Sequence, residues 1–372
     1  MIDTIVLSLD RGYSITRYDA FSPCARDLYE YPYRLWGKEG YLKSIQNPPK
    51  QDTQYKPRLT IVKRRMLGSY PTLKIELSLP KLLYGNNFVE LENSNFPLIL
   101  DFLQARLKDM GVSVSLESLS NSRILAVHYS KNFIIEQGFT CAMVLREIHK
   151  SQINTKLDDC VTKFRNDGHA LSFHSNSYEV VFYDKIKDIE QAKISPKRAI
   201  DREELGLFKD NFSYSMQVLR MEVRLNKPQK IRSILEKTGY SRNLIFKDLF
   251  SSEISKRVLM YYWDILRSKM SIGDNPFVSN AEQVFLGSTQ RKPTQILAQV
   301  GFFLLQKELG LKALRSLLVA HSDVRTAARI VKKYSFEFVP KNIYSIMNKI
   351  GEDMKKYEPL TQRDFIDICG RE

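Results

Sequence analysis

A regular alternation of apolar and polar residues, found in two segments far apart in the chain, constrains the fold more than any other feature of this sequence. Thr72–Leu79 and Gln217–Leu225 both place an aliphatic residue or methionine at every second position. Side chains point alternately to opposite faces of a strand, so each segment predicts a strand with one buried face and one polar face. The polar positions are Lys74, Glu76 and Ser78 in the first segment and Arg220, Glu222 and Arg224 in the second.

Further strand and helix patterns predict one sheet domain over residues 1–227. Helical patterns near 95–110 and 140–150 lie between the strand segments, which predicts an α+β fold: an antiparallel sheet with helices on one face. Pro80 is expected to stop the strand before it and to lead into a loop over 82–87. The other predicted strands are Ile2–Leu9, Arg58–Arg65, Arg123–Tyr129, His169–His174 and Tyr178–Lys185.

Residues 10–57 interrupt this pattern and predict an irregular, aromatic-rich insertion. Aromatic rings among basic residues can stack on nucleic-acid bases, and they can equally pack a loop onto the sheet. The sequence leaves both interpretations open. The aromatic residues are Tyr13, Tyr18, Tyr29, Tyr31, Tyr33, Trp36 and Tyr41.

From Pro228 onward the apolar pattern changes to the period of a helix, which predicts a second, all-α domain over 228–372. This part holds 24 Lys and Arg against 15 Asp and Glu, so it carries +9. Helices are expected near 228, 252–270, 294–309, 311–320, 323–334, 341–356 and 361–369, with a capping box at 279–282. The pair at 311–334 resembles a helix-turn-helix on DNA, although a plain helical hairpin with a solvated basic face fits the same pattern.

The charge of the whole chain indicates a polyanionic partner. Among 372 residues, 57 Lys and Arg face 42 Asp and Glu, for a net charge of +15. Such an excess most often indicates nucleic acid, the alternative being a basic protein with no such partner. Four scattered cysteines without CxxC spacing suggest free thiols. We expect no signal peptide, no membrane span and a cytoplasmic location.

The segment 168–193 predicts a β-hairpin in which Tyr183 and Lys185 lie on the same face of the second strand. A nearby cation stabilises a phenolate and lowers the pKa of the phenol. This is the activation that a tyrosine nucleophile needs. The alternative is a half-buried sheet tyrosine beside a solvated lysine.

Five motifs, in order, carry a family resemblance: MIDTIVLSL, YPTLKIELSLPKLLYGNN, NSRILAVHYSKN, VVFYDK and LRMEVRL. Together they resemble the replication initiators of filamentous phages, the gene II/gene X family, and their prophage and plasmid relatives. The resemblance implies a rolling-circle initiator that nicks one strand of origin DNA, forms a covalent tyrosine–DNA intermediate and later rejoins the strand. It selects Tyr183 as the nucleophile and Lys185 as its partner. It also implies a bacterial host, whose helicase or polymerase would act with the protein.

The implied reaction needs charge neutralisation at the phosphate, which Mg²⁺ or Mn²⁺ would supply. Carboxylates, sometimes with a histidine, hold such ions. Glu76 and Glu222 lie mid-strand on polar faces and are the first candidates, with His128 as a third. Glu222 could instead only pair with an arginine, and His128 could be a hydrogen-bonded core residue. Many rolling-circle initiators have a His-hydrophobic-His triplet, which this sequence lacks, and Leu125 stands where close relatives carry a carboxylate.

Basic residues on the predicted sheet face and on the last basic helix are expected to hold DNA phosphates. The sequence has no GxxxxGK[ST] motif, which fits rejoining without ATP. Two other classes stay open: a non-catalytic DNA- or RNA-binding regulator, and a structural DNA-packaging protein. The expected phosphate contacts are Lys74, Arg123, Arg220, Arg224, Arg325, Arg329, Lys332 and Lys333.

Overall fold

An antiparallel sheet of nine strands forms the centre of the fold within the part of the chain that the structure describes. The structure is a computed structural model and describes residues 1–30, 40–48, 54–64, 70–136, 139–150, 161–165, 169–192, 217–268, 292–334, 343–361 and 364. The strands are β1 (Ile2–Leu9), β2 (Tyr13–Ile15), β3 (Tyr41–Gln46), β4 (Arg58–Arg64), β5 (Thr72–Ser78), β6 (Val112–Val114), β7 (Arg123–Ile135), β8 (Val161–Arg165), β9 (Ala170–His174), β10 (Tyr178–Asp184) and β11 (Gln217–Leu225). The order across the sheet is β3-β4-β5-β1-β7-β11-β10-β9-β8, and β2 pairs with β6 separately.

Helices connect and cover these strands, and their ends follow the sequence signals. Pro97 and Pro228 lie in the first turns of their helices, where the missing N–H is tolerated. Gly310 has a φ of 78°, which breaks a long helix at the position where the sequence predicts two. The helices are α1 (Ala25–Glu30), α2 (Leu79–Tyr84), α3 (Phe96–Asp109), α4 (Leu116–Ser120), α5 (Cys141–Lys150), α6 (Lys185–Ala192), α7 (Pro228–Lys237), α8 (Phe246–Leu249), α9 (Ser252–Arg267), α10 (Pro293–Ala320), α11 (Val324–Tyr334) and α12 (Ile343–Lys356).

One hydrophobic core joins the sheet to helices from both halves of the chain. Met221 and Val223 of β11 belong to the same buried apolar cluster as Trp263 of α9 and Ile346 of α12. The side chains of α3, α5 and α7 also enter this cluster. The boundary expected at residue 227 therefore does not separate two hydrophobic cores. The division of functions between 1–227 and 228–372 stays a prediction.

The α+β class and the large antiparallel sheet are confirmed, while three local expectations are wrong. Pro80 does not start a loop, because it lies in the first turn of α2, where a proline is accommodated. The last strand of the hairpin ends at Asp184, and Lys185 begins α6. Residues 10–57 are not wholly irregular, since β3 pairs with β4 at the edge of the sheet. The capping box at 279–282 and most of 361–369 lie outside the described residues.

Helices α10 and α11 pack on each other and leave several large apolar side chains exposed. Phe302 and Ala327 are buried, and the ring centroids of Phe302 and Tyr334 are 6.3 Å apart. The exposed side chains are Leu297, Leu304, Leu305, Leu309, Leu317 and Val324. None of the helices in the described ranges combines the length and the apolar character that a bilayer span requires.

Candidate functional site

Three rows of side chains cross the face of the sheet opposite the helical core, on strands β10, β11 and β7. Their alignment follows from the antiparallel pairing, which brings residues directly opposite each other onto one face. The rows are Tyr183–Arg220–Asn132, then Val181–Glu222–Ser130, then Glu179–Arg224–His128. These rows thus bring together five of the predicted site residues: Tyr183, His128, Arg220, Glu222 and Arg224.

The hydroxyl of Tyr183 donates a hydrogen bond to Glu222 Oε2 over 3.3 Å. The same oxygen accepts from Arg224 at 3.0 Å, and Arg224 also pairs with Glu179 at 3.0 Å. The other oxygen, Glu222 Oε1, is 3.4 Å from His128 Nδ1. Both oxygens of this buried carboxylate therefore have a polar neighbour, and Glu222 fixes the direction of the Tyr183 hydroxyl.

Arg220 is the most deeply buried cation of the three rows. Its Nη2 is 2.7 Å from Asp3 Oδ1 and donates to Ser130 Oγ at 2.8 Å. Its Nη1 donates to the backbone oxygen of Asn87 at 2.6 Å. The Nε–H groups of Arg220 and Arg224 are buried and have no acceptor among the described residues. They are thus two buried donors without a partner in the described part of the chain, the kind of group that a bound oxyanion would satisfy.

A short segment after α2, residues 86–92, lies over the first row and is named the cover here. The Asn87 carbonyl binds Arg220, and the Phe88 carbonyl accepts from Asn132 Nδ2 at 2.9 Å. The ammonium of Lys185 lies 5.5 Å from the ring centroid of Phe88 and 5.9 Å from that of Tyr183. Tyr183 itself is 9% exposed.

The expected activation of Tyr183 by Lys185 is wrong in this arrangement. Burial raises the pKa of Tyr183 well above its usual value, and Glu222 and Asp188 raise it further, while Arg220 opposes them. Lys185 is near the ring as predicted, although it reaches it from α6. The phenol therefore stays protonated at neutral pH and requires a proton acceptor to act as a nucleophile.

The pKa values of two neighbouring groups indicate which of them can accept the proton of the Tyr183 hydroxyl. Burial lowers the pKa of Lys185 to about 8, and the nearby Arg220 adds to the effect. Part of the Lys185 population is therefore a neutral amine near pH 8. Burial alone would raise the pKa of Glu222, but Arg224, His128 and Arg220 hold it well below its usual range. Glu222 is thus a weak base that orients, and Lys185 is the better proton acceptor.

The three predicted metal ligands do not form one site. Glu76 and Glu222 are separated by about four residues along β7, roughly 13 Å, and by three strand spacings of ~4.8 Å. Glu76 is half exposed and pairs with Arg58 at 3.6 Å. His128 does lie beside Glu222, but that carboxylate is already bound by Arg224 and Tyr183. No cluster of three His, Cys, Asp or Glu suited to a metal occurs among the described residues, so this donor set does not fit Mg²⁺ or Mn²⁺.

The remaining predicted DNA contacts lie away from Tyr183. Lys74 is on β5, beyond β1 and β7, at the exposed end of the polar face. Arg123 is exposed at the start of β7, nine residues before Asn132 and so about 30 Å along the strand. The four basic residues of α11 are exposed on the helical hairpin: Arg325, Arg329, Lys332 and Lys333. The structure does not bring these residues into one site with Tyr183.

Sequence reasoning missed three partners of the site. Asp3 pairs with Arg220, Glu179 pairs with Arg224, and Asn87 supplies a backbone oxygen. The sequence does indicate a partner for Asp3, since an acidic residue inside an apolar strand requires a partner when it is buried. Nothing in the sequence indicates the Asn87 contact, because a backbone carbonyl is common to every residue.

Comparison with protein-family models, with curated proteins and with solved structures finds no match for this chain.

Proposed function

We propose that this protein cuts and rejoins single strands of DNA through a covalent tyrosine intermediate, with Tyr183 as the nucleophile. The observation that carries the proposal is the hydrogen bond from the Tyr183 hydroxyl in the first row to Glu222 in the second, with Arg220, Arg224 and Lys185 nearby. A nucleophile oriented by an acceptor and surrounded by fixed cations suits attack on a phosphodiester. The net charge of +15 supports a nucleic-acid substrate.

In the proposed step, the Tyr183 oxygen bonds to phosphorus and the bond from phosphorus to the 3′-oxygen breaks. The phenol proton passes to the neutral amine of Lys185, and the leaving 3′-oxygen takes a proton from water. The unpaired Nε–H donors of Arg220 and Arg224 would bind the phosphate oxygens as charge develops. Reversal of the step rejoins the strand, because the phosphotyrosine bond retains the energy of the broken one.

The wider proposal follows the motif resemblance. The protein would act in the cytoplasm of a bacterial host on double- and single-stranded DNA of a phage or plasmid origin, followed by the host helicase or polymerase. The nuclease-like sheet would cut the DNA, and the basic helical part would bind the duplex. The exposed basic side chains of α11 suit the second role. Mg²⁺ or Mn²⁺ enters no step here, since the predicted ligands are apart.

The decisive experiment is mass spectrometry of the protein after incubation with single-stranded oligonucleotides of the cognate origin. We expect a covalent adduct on the peptide that contains Tyr183. Tyr183→Phe removes the oxygen but keeps the ring, so the adduct should vanish while the fold is kept. Tyr178→Phe is the matched control, since Tyr178 lies on the same strand and faces the opposite side. An adduct on another tyrosine would contradict the assignment.

A second experiment distinguishes whether Lys185 accepts the phenol proton or only supplies a fixed positive charge. If the neutral amine accepts the proton, the cleavage rate should rise with pH through about 8. Lys185→Arg keeps the charge but stays protonated, so it should lose most cleavage. An arginine variant with the wild-type rate and pH profile would show that only the positive charge matters.

A second candidate function is a non-catalytic DNA- or RNA-binding regulator. The burial of Tyr183 and its raised pKa favour this alternative, since both oppose nucleophilic attack. Salt-dependent DNA binding without any adduct, in wild-type protein and in Tyr183→Phe alike, would select it.

A further inference from the structure

Glu90 connects the cover to two distant parts of the chain. Its Oε1 accepts from the Asn132 backbone N–H at 2.6 Å, beside the first row of the site. Its Oε2 accepts from Lys131 Nζ at 2.6 Å and from the Leu360 backbone N–H at 3.0 Å. The Glu90 backbone N–H donates to the Leu360 oxygen at 2.9 Å. Glu90 and Leu360 are thus joined by two reciprocal hydrogen bonds.

Residues 357–361, named the strap here, follow α12 and complete this junction. Lys131 Nζ donates to the Glu358 oxygen at 2.6 Å. Tyr357 has a φ of 58°, a left-handed conformation that non-glycine residues rarely adopt. Its hydroxyl bonds to Ser255 of α9, which holds the turn in place. The strap is therefore fixed to the helical layer at one end and to the cover at the other.

The cover takes hydrogen-bond positions that a phosphate would need. The Asn87 oxygen is an acceptor on Arg220 Nη1, and a phosphate oxygen is also an acceptor, with a charge that strengthens the bond. The ring of Phe88 lies beside Lys185, with its centroid 5.5 Å from the ammonium. Residues 86–92 belong to no helix and to no strand of the sheet, so their displacement would break no β ladder.

We propose that the cover is a lid over Tyr183, Arg220 and Lys185, and that the strap latches it shut through the Glu90–Leu360 pair. In the closed state the Asn87 carbonyl stands where a phosphate oxygen would bind. Release of Leu360 removes two of the four hydrogen bonds described for Glu90, which weakens its hold on the cover, so that the cover lifts and the first row becomes accessible to a phosphodiester. The inference rests on the proposed role of Tyr183, but the lid itself can be tested without DNA cleavage.

Hydrogen exchange of the full wild-type chain tests the latch directly. The amides of Glu90, Leu360 and Asn132 should show one common protection factor, because a single opening releases all three. That protection factor should be at least tenfold smaller than the one at Met221, in the middle of β11. Protection of the three amides as high as that of Met221, or three unrelated protection factors, would overturn the latch.

Two variants of the full chain test the lid. Leu360→Pro removes the N–H that Glu90 accepts, and Glu90→Gln keeps the volume but removes the charge. Either should raise the labelling of Lys185 by an amine-reactive reagent tenfold or more, measured by peptide mass spectrometry. Glu358→Ala is the control, since Glu358 contributes its backbone oxygen, and it should label like wild type. A folded Leu360→Pro protein with unchanged Lys185 labelling would overturn the lid.

The labelling experiment tests the lid and the adduct assay tests the chemistry, so either idea can be rejected without the other. Raised Lys185 labelling with no oligonucleotide adduct in any variant would retain the lid and reject the proposed chemistry. Unchanged labelling with a normal adduct on Tyr183 would retain the chemistry and reject the lid.

Discussion

The polar face of the sheet has two halves that carry similar residues in different surroundings. The closed half, Tyr183, Lys185, Arg220 and Glu222, is buried next to the cover. The open half, Arg58, Lys74 and Glu76, faces solvent on β4 and β5. Each half has an arginine–carboxylate pair: Arg220 to Asp3 at 2.7 Å, with Arg220 1% exposed, and Arg58 to Glu76 at 3.6 Å, with both about half exposed.

The difference between the halves shows that desolvation, and not residue type, decides what a charged pair does. In the open half water screens both charges, so the pair contributes little. In the closed half the charges have lost their hydration and depend on each other. In the closed half, burial lowers the pKa of Lys185, and Arg224, His128 and Arg220 hold the pKa of Glu222 well below its usual range.

The largest expected effect is the removal of the buried arginine. Arg220→Met leaves the carboxylate of Asp3 buried without its partner and Ser130 without a donor. We expect a loss of about 3–5 kcal/mol in the free energy of unfolding, the usual cost of breaking a buried pair from one side. Urea unfolding followed by circular dichroism measures it. A loss below ~1 kcal/mol would mean that the two halves do not differ as proposed.

A smaller change in the free energy of unfolding, confined to a defined range of pH, is expected from Lys185. Below about pH 8 the lysine is charged in folded and unfolded chains alike, so the cost of its burial is fully present. Between about 8 and its ordinary pKa of 10.5, the unfolded chain binds more protons, so the free energy of unfolding rises with pH. The total rise is roughly 3 kcal/mol.

Lys185→Met should lack this rise and should be more stable than wild type at pH 7. The difference between the two proteins is the quantity to measure, because buried tyrosines titrate in both above pH 10. Parallel stability curves from pH 7 to 10 would refute the shift.

The smallest effect is expected in the open half. Arg58→Ala or Glu76→Ala should change the free energy of unfolding by about 0–1 kcal/mol, since the pair is exposed. Added salt should reduce even that difference. Glu76→Ala should also leave cleavage at Tyr183 intact, because Glu76 lies far from the site. Abolished cleavage in this variant would restore Glu76 as a ligand and challenge the separation of the two halves.

Much of the closed half could be predicted from alternation alone. Gln217–Leu225 is a strand with the expected bounds, and Arg220, Glu222 and Arg224 share its polar face. Alternation specifies a face within one strand but not the register between strands distant in sequence. That is why Glu76 and Glu222 were expected together although three strand spacings separate them.

The burial of the site could not be predicted either, and the reason is a different one. A polar face predicts exposure to water, and here a segment from 86–92 covers it, with support from residues near 360. No local pattern links positions so far apart in the chain. The proline that was expected to begin a loop instead begins α2, which leads the chain to the cover.

The position of β7 has a consequence for the synthesis of this protein. β1 lies between β5 and β7, and β7 in turn lies beside β11. About 80 residues separate the end of β7 from the start of β11, so one edge of β7 waits for its partner. At typical translation rates the ribosome takes on the order of four to sixteen seconds to cover that distance. During this time the early strands have unpaired edges that can aggregate, so a chaperone that holds the nascent chain should raise the yield of folded protein.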